Sequence, residues 1–393
     1  MFLFEIKKIL NKRAFFLCVV VFIIINIFNI ALNVDKYEGT LDEFNEGWQK
    51  VYNSVKGDIT KEKMELLQNY YEKMLQEVDL SHSPEKSEVY LSGYAYGDMN
   101  IALEHLENIQ ESISYSSMMS NLISNNVKLE NYYHNINNDY MEKYSESVIK
   151  NYQGRTIQEY YDYTGFQNLF NYNFSSLLVL LLSVLFSSTI FSEEKQCGMY
   201  NLIFSTSNGR LNNSKYKILI VILISFAINV VFLLVDLITF SYFYNMDGVF
   251  TKLYCIPDFF YSPINVSILE YILISLFYKF IGTLVISTCS AFFSKIFNNL
   301  YSLVLSYATV LFLIFLSCFD KLKGISLNPI YCIQCAELFK SLNIDKIFNT
   351  PILHAWTVIG FNFVLIIFFV IFCLKYEKGI VSIDKIRNKK VTI

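Results

Sequence analysis

Long apolar runs are the feature that most constrains how this chain can fold. The first covers residues 14–34, and five more follow it towards the C-terminus. A helix of about 20 residues is roughly 30 Å long, which matches the hydrocarbon thickness of a bilayer. The chain is therefore predicted to be a membrane protein with six transmembrane helices. The five later runs cover residues 174–190, 218–240, 268–293, 300–319 and 355–374.

Composition and charge agree with a membrane protein and give it an orientation. Of the 393 residues, 17% are charged, whereas a soluble domain has about 25%. Residues 35–173 contain 23 acidic against 11 basic residues, and the short segments 1–13, 192–217 and 375–393 are basic. Because short basic segments stay in the cytoplasm, we expect both termini and segment 192–217 to be cytoplasmic. Residues 35–173 are then extracytoplasmic.

Three regions follow from these boundaries. Residues 1–34 are predicted to form an amphipathic helix on the cytoplasmic surface and the first transmembrane helix. Residues 35–173 repeat apolar residues at helical spacing, as between Asp58 and Leu80, and show no sustained alternation of the kind that strands show. Residues 174–393 contain transmembrane helices 2–6. The predicted fold class is an all-α membrane protein whose large, mainly helical extracytoplasmic insert lies between helices 1 and 2.

Several polar residues lie inside the apolar runs. Asn26, Asn29 and Asn33 fall on one face of the first run, which predicts that this face meets other helices rather than lipid. Lys279 lies near the middle of the fourth run, where an ammonium group costs about 2.5–3.5 kcal/mol. It either pairs with Asp236 of the third run or lines a translocation path. The residue types and their spacing leave both interpretations open.

Segment 192–217 contains a helical pattern of its own. Glu193 and Glu194 open it, apolar residues follow at helical spacing, and Ser207, Asn208 and Gly209 predict a turn. A short helix of this kind offers a surface to a cytoplasmic partner. The alternative is a solvated loop that only connects two spans, and periodicity does not distinguish the two.

The order of residues in segment 192–217 favours a helix that contacts a partner over a loop that only connects two spans. Segment 192–217 contains E-E-K-x-x-G, then a leucine, a Ser-Thr pair, a Gly-Arg pair and a lysine. This order resembles the loop of ABC-2-type transporter permeases, the membrane subunits of bacterial ABC exporters, in which the loop is a coupling helix that docks into the ATPase subunit. The resemblance is good over residues 191–217, extends weakly through the six-span layout, and does not include the insert. It implies an ATPase-coupling role for Glu193, Glu194, Gly198, Leu202, Thr206, Arg210 and Lys215.

The family resemblance carries functional expectations. It implies a permease of the bacterial cell membrane that couples ATP hydrolysis by a separate subunit to export of a substrate such as an antimicrobial peptide, a drug or an ion. The sequence contains no G-x-x-x-x-G-K-[ST] phosphate loop, so this chain is expected not to be an enzyme, and ATP and Mg²⁺ would bind to the partner. Expected partners are ABC ATPase subunits, a second copy or a related permease, and membrane lipid. No nucleic-acid partner and no cofactor are expected.

Other function classes are weaker but remain open. A polytopic receptor or sensor would use the acidic insert to bind an extracellular peptide, although it gives no reason for four further spans. A membrane enzyme would need clustered acids, bases or metal ligands, which the spans lack. Cys332 and Cys335 form a lone C-x-x-C in an outward loop without the two further ligands of a zinc site. They either pack as small apolar residues or form a surface disulfide.

Overall fold

The computed structural model describes residues 13–34, 41–80, 89–196, 198, 209–318 and 327–391. The amphipathic helix predicted for the N-terminus lies almost entirely outside these ranges, and so do residues 197 and 199–208 of segment 192–217. Over the described ranges the chain is mainly helical, and six helices are long and apolar enough to cross a membrane, as predicted. These spans are Phe15–Leu32, Thr164–Gln196, Asn213–Phe243, Ile268–Ile296, Asn299–Ser317 and His354–Lys375.

The secondary-structure elements are numbered in chain order. The helices are α1 (Arg13–Leu32), α2 (Leu41–Val55), α3 (Lys61–Leu80), α4 (Ala95–Asn135), α5 (Asp139–Tyr152), α6 (Thr164–Asn171), α7 (Phe174–Thr189), α8 (Ser192–Gln196), α9 (Gly209–Phe243), α10 (Ile268–Ile296), α11 (Asn299–Ser317), α12 (Pro329–Ile333), α13 (Cys335–Phe339) and α14 (His354–Val391). The strands are β1 (Gly57–Asp58), β2 (Glu159–Tyr160), β3 (Ile344–Ile347) and β4 (Thr350–Leu353).

Helices α7 and α10 form the centre of the spanning bundle. α10 packs against α7, α9, α11, α12 and α14, and α7 is the most buried of the spans. In contrast, α1, α11 and α14 are the least buried spans, and most of their described side chains are exposed or only partly buried. An apolar surface on helices of this length is typical of contact with lipid.

Small polar side chains join the central helices. The Ser225 hydroxyl of α9 donates a 3.1 Å hydrogen bond to Ser287 of α10, and the Asn229 amide donates a 2.9 Å bond to Thr283. All four side chains are buried. Lipid tails are as apolar as the side chains, so the hydrophobic effect does not drive spanning helices together. Small residues and interhelical hydrogen bonds hold them together instead.

The chain between α1 and α6 folds into a helical region, here called the 41–163 region. α4 packs against α2, α3 and α5. The apolar core of the 41–163 region includes Leu67 and Ile101. Asp98, only 1% exposed, accepts hydrogen bonds from the backbone N–H groups of Leu91 and Ser92 and so fixes the start of α4. Between Asp58 and Leu80, where the apolar spacing predicted a helix, the structure has α3 (Lys61–Leu80).

Two short strand pairs depart from the all-α prediction. β1 pairs antiparallel with β2, and β3 with β4. Phe348 and Asn349 connect β3 to β4, both with positive φ of 45° and 65°. A two-residue hairpin turn requires positive φ at both positions, which Asn adopts readily but Phe does not. The sequence therefore gave a weak signal for this hairpin.

The 41–163 region is bonded to the loop between α9 and α10. The hydroxyls of Tyr115 and Tyr152 donate to the carbonyls of Phe260 and Tyr261 at 3.1 and 2.6 Å. The buried guanidinium of Arg155 donates to the Ser262 carbonyl at 2.7 Å. These bonds fix the region onto one end of the spanning bundle.

The short helix α12 lies directly on α10 at Gly282. A Cβ atom at Gly282 would lie 2.8 Å from the Pro329 carbonyl oxygen and 2.7 Å from a side-chain carbon of Ile333. Such contacts are far shorter than a van der Waals distance, so only glycine allows this approach. α12 is itself buried between α10, α11 and α14.

Replacing Gly282 with alanine should separate α12 from α10. We expect Gly282→Ala to lower the free energy of unfolding by about 1–3 kcal/mol, the usual cost of overpacking. Thermal unfolding of the purified protein would measure this loss of stability. Gly360→Ala in α14 is the matched control, because a Cβ at Gly360 meets nothing within 4 Å. Equal midpoints for the two variants would contradict the close packing.

Candidate functional site

The candidate site lies where segment 192–217 enters the spanning bundle. The ends of α8, α9 and α10 meet there, at the end of the spans away from the 41–163 region, together with the start of α11 and the part of α14 around Cys373. The site is built almost entirely from buried polar side chains.

The central contact is an ion pair between Lys217 and Glu194. The Lys217 ammonium lies 2.6 Å from Glu194 Oε2, and the two side chains are 0% and 5% exposed. The Asn213 amide donates to the same oxygen at 3.1 Å, and Lys217 also donates to the Ile190 carbonyl at 2.8 Å. The attraction between the charges is strong because little water screens it. Glu194 is therefore held against α9 from inside the protein.

A second buried lysine extends the site to α10 and α14. Lys295 donates to the Ser214 hydroxyl at 2.9 Å and to the Cys373 carbonyl at 2.5 Å. The ring of Phe191 lies close to both ammonium groups, with its centroid 4.9 Å from Lys217 and 5.1 Å from Lys295. An aromatic face attracts cations, so the ring stabilises both.

The backbone of the turn before α8 is fixed as well. The Ser294 hydroxyl oxygen accepts hydrogen bonds from the N–H groups of Phe191 and Ser192, both at 3.0 Å. Lys195 donates to the carbonyls of Lys295 and Phe297. The turn that begins segment 192–217 is therefore bonded to the end of α10.

The structure places the predicted coupling residues unevenly. Glu193 is half-buried, whereas Gly198 and Lys215 are exposed, Gly198 with a positive φ of 68°. Leu202, Thr206 and the side chain of Arg210 lie outside the described residues. Glu194 was predicted to face a partner, but its carboxylate points inward to Lys217.

Lys217, Lys295 and Asn213 belong to the site but were not singled out from the sequence. Glu194 and Lys217 are separated by 23 positions, so no local spacing connects them. The sequence does show two lysines within one helical turn at the start of the third run, Lys215 and Lys217. In the structure only Lys215 is exposed.

Asp236 and Lys279 do not form the predicted direct pair. Asp236 is buried and accepts a 2.6 Å hydrogen bond from the amide of Asn26. Neither residue has an ion pair of 4.0 Å or shorter within the described ranges, although the Lys279 charge still acts on Asp236 at longer range. Tyr172 hydrogen-bonds Asn26 and Asn29 at 2.9 and 3.0 Å. The asparagine face of α1 therefore contacts α9 through Asn26, whereas Asn33 on the same face is exposed.

Cys332 and Cys335 are buried free thiols rather than surface groups. Burial raises the pKa of Cys335 to about 12, so its thiol stays protonated at neutral pH. Asn362 donates to Cys332 Sγ at 3.5 Å. Among the side chains that the structure describes, no group of three or more His, Cys, Asp or Glu could hold a metal ion.

Comparisons with known proteins add no family. A scan against models of protein families found no match, and searches of curated proteins and of solved structures found none either.

Breaking the Lys217–Glu194 pair should strongly destabilise the protein. We expect Lys217→Met to lower the free energy of unfolding by about 3–5 kcal/mol, because it removes the ammonium group that lies 2.6 Å from the buried Glu194 carboxylate. The same substitution at exposed Lys215 is the control and should change little. Thermal unfolding of the purified proteins would measure both effects.

A double variant separates charge from packing. Lys217→Met combined with Glu194→Leu removes both charges and should recover most of the stability that Lys217→Met alone loses. A double variant as unstable as the single one would show that the loss comes from packing and not from an unpaired charge.

Proposed function

We propose that this chain is the membrane subunit of an ATP-driven exporter, similar to ABC-2-type permeases. A separate ATPase subunit would bind ATP and Mg²⁺ and dock onto segment 192–217. Six membrane-crossing helices, the residue order of that segment and the absence of a phosphate loop in the sequence support this function. The observation that carries it is the buried Lys217–Glu194 pair, which anchors the segment to the spans.

The anchoring contacts explain how docking would move the spans. α8 is tied to α9 through Glu194 and to α10 through Ser294 and Lys195. α10 is tied to α14 through Lys295. A displacement of segment 192–217 by a partner would therefore reach three spanning helices together, because these contacts bond α8 to α9 and α10, and α10 to α14.

The same proposal fixes the orientation of the chain in a bacterial cell membrane. Segment 192–217 and both termini are cytoplasmic, and the 41–163 region is the extracytoplasmic insert. The exporter acts as a dimer with a second copy or a related permease, as the family resemblance implies. A receptor for an extracellular peptide is the second candidate, and the cavity described in the next subsection favours it. That candidate gives the buried contacts around Glu194 no role.

Two natural cysteines can test the orientation. Cys318 is exposed at the end of α11, on the extracytoplasmic side in this proposal, and Cys197 belongs to segment 192–217. A membrane-impermeant maleimide should label Cys318 in intact cells and Cys197 only after permeabilisation. The variants Cys318→Ser and Cys197→Ser assign each signal. Labelling of Cys197 from outside intact cells would contradict the proposal.

Docking of an ATPase can be tested with a matched pair of glycines. Gly198 and Gly154 are both exposed, both have positive φ, and a Cβ at either position meets nothing within 4 Å. Gly198→Arg should reduce the ATP hydrolysis that co-purifies with the tagged chain from its native membranes by about tenfold or more, equivalent to 1.4 kcal/mol. Gly154→Arg, in the 41–163 region, should leave it unchanged.

The outcomes of this experiment are distinct. Equal hydrolysis with both variants would place the ATPase contact elsewhere. A tagged chain that brings no ATP hydrolysis with it, even without substitution, would remove the basis for an exporter.

A further inference from the structure

A cavity of about 240 Å³ lies between the 41–163 region and the loop that joins α9 to α10. One wall is a face of α4, the second is the chain from residue 160 to 167, and the third is the loop around residues 255–260. At roughly 30 Å³ for each water molecule, the cavity has room for about eight of them. It is therefore large enough for a small ligand or one long side chain.

The charged residues that line this cavity are all acidic. Glu104 and Glu111 lie on the same face of α4, two turns apart, and Asp162 lies on the opposite wall. Among the residues that the structure describes, no lysine or arginine lines it. Partial burial raises the pKa of Glu104, and the charges of Asp162 and Glu107 raise it further, while a polar contact with Trp48 lowers it. Repulsion of this kind is relieved when a cation enters.

Aromatic rings form much of the remaining wall, independently of the acids. Trp48, Tyr160 and Tyr163 line the cavity, and aromatic faces attract organic cations. His105 lies behind two of these rings, with its Nδ1 2.8 Å from the Tyr160 hydroxyl. Burial lowers the pKa of His105 to about 4, so it adds no positive charge at neutral pH.

We propose that this cavity, the acidic aromatic cavity, binds a primary ammonium group. The group belongs either to a lysine side chain of a peptide or to a free aliphatic polyamine, since both present the same charge on a slender apolar stem. Carboxylates neutralise the ammonium, and the rings hold the stem and the cation. Binding here does not depend on an ATPase, so it stands or falls separately from the exporter function.

The two tryptophans of the chain give a direct measurement. Trp356→Phe leaves Trp48, in the cavity wall, as the sole tryptophan. The full-length purified protein would be titrated with spermidine and with the peptide acetyl-Gly-Lys-Gly-amide while Trp48 emission is recorded. The same peptide with an acetylated lysine is the neutral control. We expect a saturable change with a Kd at or below about 1 mM for at least one cation.

The responses to the two probes identify the source of the ammonium group. A response to the peptide alone supports a lysine side chain, and a response to spermidine alone supports a free polyamine. A response to neither probe, or an equal response to the acetylated peptide, would overturn the proposal.

Charge-neutral variants test the named residues. Glu104→Gln and Glu111→Gln should each weaken binding by about five- to tenfold, because each removes one attractive charge. Glu130→Gln, on the same helix but about 28 Å from Glu111 at 1.5 Å per residue, should not. Unchanged thermal unfolding of the variants would show that they fold. Equal affinities for all three variants would overturn the assignment.

Binding should also depend on pH in a defined direction. Glu104 loses its charge at a higher pH than an ordinary carboxyl because its pKa is raised. The amines of both probes stay protonated, so affinity should fall as the pH is lowered from 7 towards about 5. Glu104→Gln should show a smaller fall over this range. A rise in affinity at low pH would contradict a carboxylate site.

Discussion

The buried ion pair between Glu194 and Lys217 is the contact on which the arrangement of the spans at segment 192–217 depends. Removing two ions from water costs several kcal/mol for each, and a well-packed apolar pair would often be as stable or more stable. Here the cost is offset because Asn213 and the Ile190 carbonyl supply further hydrogen bonds to the same groups. The ion pair therefore adds little net stability, and its main effect is to fix one position of α8 relative to α9. In the proposed exporter, a segment that a partner moves needs a defined position of this kind.

The same requirement explains the other polar contacts within the spans. A polar group in a bilayer must find its partner inside the protein, since no water can replace it. Asp236 and Asn26 satisfy each other across α1 and α9, and serine and threonine hydroxyls bond α9 to α10. Each contact sets the rotation of one helix about its axis. The bundle is thereby positioned by a few hydrogen bonds, while apolar surface faces outward.

Local patterns in the sequence were sufficient to predict the spanning helices, but not the contacts between them. The apolar runs predicted all six helices because length and hydropathy are properties of a single segment. Whether Asp236 pairs with Lys279 was left open, because the face that Lys279 presents depends on how α9 and α10 are rotated against each other. The ATPase-coupling role of Glu194 was inferred from the family resemblance alone, and Lys217 is too distant in sequence to reveal the buried pair. The cavity was missed for the same reason, since its three walls come from separate parts of the chain.

The two sites are connected through the same pair of helices. The loop that closes the acidic aromatic cavity joins the end of α9 to the start of α10. At their other ends, α9 carries Lys217 and α10 carries Lys295, which hold segment 192–217 and α14. Both helices are continuous between these points, without proline, and a continuous helix transmits axial displacement because its hydrogen bonds resist extension. Tyr115 and Arg155 bond the 41–163 region to the loop, so a shift of α9 against α10 changes the cavity walls. A ligand that prefers one form of the cavity therefore also prefers one position of segment 192–217.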